Sequence, residues 1–104
     1  MPRRRMADKI EIELETTSRG FARAEFIDMY GEKCSIQKSS LATEDAIWLG
    51  VDDPKPRVLV QGEGWKDVPL PVDAFLSGRM HLSREHVKAL MPFLVKFAVT
   101  GELT

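Results

Sequence analysis

Cys34, His81 and His86 are the residues of this chain that can combine as thiol and imidazole, and it has no second cysteine and no third histidine. A nucleophilic thiol needs its pKa lowered by a neighbouring base or cation. Cys34 has no nucleophile-elbow or papain-like surroundings and falls on the core side of an alternating stretch. Its expected role is that of a small buried hydrophobe. His81 and His86 do not have the spacing of a same-face metal pair, and Ser83 is expected to start a helix between them. Ser39 and Ser40 lack a Gly-x-Ser-x-Gly context and read as turn residues. Gly62-Glu63-Gly64 has neither the third glycine of a dinucleotide fingerprint nor a following Walker lysine. Asp52-Asp53 has the makings of paired carboxylates or a cation site, but two acids before Pro54 read as a solvated turn with no EF-hand continuation. No catalytic, metal or cofactor set completes itself, and the chain is expected not to be an enzyme.

Binding is the alternative. The stretch from Gly31 to Gly50 crowds Cys34, Trp48 and many polar side chains between two glycines. The longer segment from Ser39 to Pro56 reads as a polar recognition loop, because loops held on a rigid scaffold carry much of protein recognition. Glu44, Asp45, Trp48, Asp52 and Asp53 are the candidate binding residues. Trp48 has two readings: an interface aromatic, or a core residue flanked by Ile47 and Leu49. Asp52 and Asp53 are expected to be exposed.

Fifteen basic and sixteen acidic residues give a net charge of −1. Arg3, Arg4 and Arg5 account for three of the basic residues, so the remainder carries −4. Residues 1–8 read as a flexible N-terminal arm and residues 9–104 as a single domain. A basic arm can hold phosphates, and a nucleic acid is the alternative partner if Arg19 and Lys38 converge with it. The simpler reading is a frayed extension before Met6. Glu11, Glu13 and Glu15 share one strand face, and with Glu25 and Asp28 nearby they pose the question of nucleic-acid mimicry. A body charge of −4 is modest for that role.

The elements that position these residues are mainly strands. Ile10, Ile12 and Leu14 alternate with Glu11, Glu13 and Glu15, the period-two pattern of a sheet covered on one face. A second strand is expected over Phe21 to Met29, with a bulge separating the adjacent Phe26 and Ile27. Tyr30 to Lys33 reads as a hairpin connection into a third strand around Cys34 and Ile36. Thr43 resembles an N-cap before at most one helical turn. Ala46 to Leu49 and Arg57 to Gln61 read as the fourth and fifth strands. Trp65 to Pro71 reads as extended chain or an edge strand, because its prolines cannot donate to a ladder. A C-terminal helix starts at the N-cap Ser83, with Leu82 and Val87 as a hydrophobic staple. Val87, Leu90, Met91, Leu94 and Ala98 define its apolar face, and Gly101 suits a left-handed C-cap. Pro92 is expected to bend or break it. The class is α+β: an antiparallel sheet of five to six strands packed by one C-terminal helix.

With 104 residues, 43% apolar and 30% charged, the chain has the material for one core and a mixed-charge surface. Its apolar runs fall short of the roughly 18 residues of a membrane span, and no signal-peptide h-region follows the arginines. A single cysteine fits a reducing compartment, so a cytoplasmic location is expected. Oligomeric state is not legible.

Gly20-Phe21, the run from Glu25 to Gly50 with its KCSIQ and SSLATEDAIWLG segments, and RMHLSREHV over 79–87 together resemble a small family of uncharacterised proteins encoded on phage and prophage genomes. The resemblance spans Ile10 to Leu103. It implies an accessory protein of a mobile element that works by binding another protein, or in some cases a nucleic acid. It carries no activity, cofactor or catalytic residue onto these positions.

Overall fold

The structure is a computed structural model describing residues 10–104. The arm expected over 1–8, with Arg3, Arg4 and Arg5, lies outside the described residues. Five strands form one antiparallel sheet: β1 (Glu13–Thr16), β2 (Ala22–Ile27), β3 (Lys33–Lys38), β4 (Ala46–Val51) and, after an insertion, β7 (Gly78–Ser83). Their order is β1-β2-β3-β4-β7. The insertion holds a separate hairpin, β5 (Arg57–Val60) with β6 (Gly64–Asp67). The C-terminal helix α1 (Arg84–Thr100) follows β7 directly. This is the α+β class, with a five-stranded antiparallel sheet and one C-terminal helix.

The register sorts side chains onto two unlike faces, because cross-strand partners share a face and neighbours along a strand do not. On one face a row of partners, Leu14, Ala24, Ile36, Leu49 and Met80, crosses all five strands. Beside it stand Phe26, Cys34 and Val51, and Ile47 with Leu82. One residue further along each strand, on the opposite face, the row reads Glu15, Arg23, Gln37, Trp48 and His81. The alternation seen before Thr16 thus extends across the sheet. The β2–β3 ladder runs without interruption through Phe26↔Cys34 and Ile27↔Lys33. No bulge separates Phe26 from Ile27; each points to its own face.

The β2–β3 turn is held by Asp28, whose Oδ1 accepts from the backbone N–H groups of Tyr30 and Glu32. Residues 39–45 form an irregular bend and not a helical turn. Ser39 supplies the local order there, its hydroxyl accepting from the Leu41 N–H, the side-chain–backbone bond with which serine competes against helix.

Helix α1 begins as its sequence specifies. The Ser83 hydroxyl accepts from the His86 N–H, and His86 Nδ1 accepts from the Ser83 N–H. Together these make a capping box with histidine in the usual Glu/Gln place. At the other end Gly101 sits at φ 78° and donates to the Phe97 carbonyl, an αL cap. The helix runs through Pro92 as one 17-residue element and does not break there. Its main neighbour is β7. Leu90 and Leu94, expected to lie on the sheet, are 40% and 60% exposed. The reason is local: Ser83 is both the last residue of β7 and the helix N-cap, so no loop exists in which the chain can reverse over its own sheet.

The molecule is consequently open. The Cα radius of gyration is 17.1 Å, against about 13 Å for a compact chain of this length. Among the described residues the buried hydrophobic side chains are four: Ala24, Cys34, Ala46 and Leu82.

Candidate functional site

The polar face of the sheet is the most organised surface of the chain, and glycine makes it possible. Gly50 has φ 150°, and a Cβ there would clash with the Gly78 carbonyl oxygen and lie 2.8 Å from the Arg79 Cα. Only a residue without a side chain lets β7 approach β4 this closely. The approach sets Trp48 opposite His81, their rings stacked with centroids 3.9 Å apart and planes 7° from parallel. The Arg79 guanidinium lies 5.4 Å from the Trp48 ring centroid, within cation–π range. His81 is fixed from its far side, where Nε2 and the buried Ser39 hydroxyl share a 2.9 Å hydrogen bond.

A second cluster continues the same face toward β1. Arg23 donates to Gln37 Oε1 at 2.9 Å, to Asp52 Oδ2 at 2.8 Å and to Glu25 Oε1 at 3.2 Å. Asp52 Oδ1 accepts from the hydroxyl of Ser35, a fully buried side chain. Planar guanidinium against carboxylate in a half-buried setting makes strong, directional bonds. Beyond it Glu11, Glu13, Glu15 and Glu25 line a shallow concavity of about 300 Å³. Glu13 and Glu25 are direct cross-strand partners, a like-charge pairing that disfavours the sheet.

These positions correct parts of the sequence reading. Asp52 is not a free surface acid: its side chain is 20% exposed and ties β2, β3 and the end of β4 together. Asp53, by contrast, is 81% exposed, with Lys55 Nζ 3.9 Å away. Asp45 sits at the other end of β4, 3.2 Å from Lys38 Nζ and 3.9 Å from Arg84. Glu44 beside it is exposed. The five candidate residues therefore lie along one strand and its two ends, with Asp45 and Asp52 about 23 Å apart by strand rise, and do not form one cluster. Trp48 is half-buried on the polar face, away from Ile47 and Leu49. Arg23, Gln37, Arg79 and His81 were not singled out as binding residues from sequence. The available signal was the alternation of Arg79, His81 and Ser83 with Met80 and Leu82, hidden by the helix cap at its end.

Cys34 and His81 stand on opposite faces of the sheet, and His86 is engaged in the helix cap. Burial pushes the Cys34 thiol upward, and the carboxylates of Asp28, Asp52 and Glu32 push the same way. Its Sγ donates to the Glu32 carbonyl. This is the setting of an inert thiol. Among the described residues no three His, Cys, Asp or Glu side chains gather as a metal site. No helix among them is long and apolar enough to cross a membrane.

What the polar face offers is a pre-set surface: the Trp48–His81 stack, two arginines and an acidic rim, with Arg23, Asp52 and His81 held by hydrogen bonds. Such preorganisation lowers the entropy lost on docking. Comparison with family models, curated proteins and solved structures gives no match, so the functional reading rests on this geometry.

Proposed function

We propose that this chain is a noncatalytic accessory protein, of phage or prophage origin in keeping with its motif resemblance, that acts in the cytoplasm by binding another protein through the polar face of its sheet. The observation that supports it most is the fixed Trp48–His81 stack beside Arg79. Tryptophan and arginine are the residue types most enriched among interface hot spots, and here they sit on strands, not on a loose loop. The acidic rim adds a preference. Glu25 is already engaged by Arg23, whereas Glu11, Glu13 and Glu15 extend the acidic rim beyond it, so a partner surface that presents lysine or arginine there is favoured.

The test is affinity capture from the native host with mass spectrometry, comparing the wild-type chain with Arg79→Glu and with Asp53→Lys, each checked by circular dichroism. Folded Arg79→Glu is expected to lose the dominant partner, whereas Asp53→Lys, outside the row, retains it. Equal capture by all three removes the polar face from the binding site. Recovery of nucleic acid, lost when residues 1–5 are deleted and steeply dependent on salt, places recognition in the basic arm instead.

A further inference from the structure

The apolar face of the sheet and helix α1 have no role in that reading. We infer that they cover each other between two copies of this chain: α1 of one protomer lies across the apolar sheet face of its partner, and the partner's helix returns the contact. Both halves of the interface are present in one sequence, which is what a two-fold, self-complementary dimer requires. Within one chain they meet only at the start of α1, where Val87 and Lys88 line a cavity with Ile47 and Leu82, because Ser83 ends β7 and caps α1 with no residue between.

The exposed area is of the right size. The chain exposes 9313 Å², whereas a folded monomer of its mass exposes about 5,900 Å². That excess is shared with the separate β5–β6 hairpin, where Leu59 and Trp65 are also more than half exposed, and it leaves room for the roughly 1,000–2,500 Å² per subunit that obligate dimers bury. Its chemistry agrees. Phe93, Leu94, Val95 and Phe97 are each more than half exposed in sequence around α1, and a helix apolar on several sides must be buried on several sides. In a two-fold pair it meets both the partner's sheet and the partner's helix. The dimensions agree as well: 17 residues make a helix about 25 Å long, and five strands span about 19 Å. Lys38 is the only charge in the strand positions of that sheet face, and it stands at the end of the central strand β3, paired with Asp45.

Sedimentation equilibrium of the full chain, followed by isotope-filtered NOE spectroscopy on an equal mixture of labelled and unlabelled protein refolded together, tests this. The expected result is twice the 11.8 kDa chain mass, with interchain NOEs from the methyls of Leu94 and Val95 to those of Ile36 and Leu49. A monomer, an undefined aggregate, or a dimer whose interchain NOEs join other surfaces overturns it. None of these outcomes bears on capture through Arg79, so the two readings fail separately.

Discussion

The two faces of one sheet differ in how they complete themselves. On the polar face Arg23, Gln37, Asp52, Ser35, His81 and Ser39 find partners within the chain, and Trp48 lies against a ring and a guanidinium. On the apolar face Leu14, Ile36 and Met80 are 76%, 36% and 54% exposed, with no second layer over them among the described residues. Hydrogen bonds are short-range and can be satisfied within a single layer. Apolar burial needs a second layer, and the directly continued helix carries that layer away from its own sheet. One face is therefore finished in the monomer, and the other waits for an occupant.

The largest effect is expected where both faces depend on one position. Gly50→Ala places a Cβ against the Gly78 carbonyl and forces β7, with α1 attached, away from β4. The loss of stability is expected to exceed about 4 kcal/mol, read as collapse of the thermal transition. Retention of the wild-type melting temperature would mean that β7 does not pair with β4 as described.

Next comes the contrast between adjacent acids. Asp52→Ala leaves Arg23 and Ser35 without their shared carboxylate and is expected to cost about 1–3 kcal/mol, measured by urea denaturation. Asp53→Ala is expected to stay within about 0.5 kcal/mol of wild type. Equal effects would show that the Arg23–Asp52 contact does not hold the polar face.

That contrast also shows what was legible. Asp52-Asp53-Pro54 reads as a solvated turn because local sequence holds only turn chemistry; the partner that changes the reading, Arg23, is 29 residues away. The β1 pattern, the Ser83 cap and the Gly101 cap were readable because each is decided within a few residues. Strand β7 was not. Its last residue is also the N-cap, so the strong helix signal absorbed the short alternation before it. The face of Trp48 was hidden as well, since Ile47 and Leu49 flank it and only register says which side they take.

Cys34 probes the apolar side. Its raised thiol pKa means that the folded state holds the proton more tightly than the unfolded chain. This contribution to stability is present below the ordinary thiol range and is lost as pH rises through the folded value. Alkylation by iodoacetamide at neutral pH is expected to be many-fold slower in native protein than in urea. Equal rates would contradict the burial of Cys34. A smaller effect of opposite sign is expected at the acidic rim: Glu13→Gln relieves the Glu13–Glu25 pairing, raising stability by about 0.2–1 kcal/mol while weakening capture of a cationic partner. A drop in melting temperature would refute the repulsion.

Arg79 and Met80 are consecutive in β7 and stand on opposite faces, so they separate the two surfaces most directly. Sedimentation velocity of Arg79→Glu beside Met80→Glu, at matched concentration and with folding verified by circular dichroism, is the decisive measurement. The expected result is a dimer mass for Arg79→Glu and a monomer mass for Met80→Glu. The same mass for both variants would contradict the division of labour between the faces.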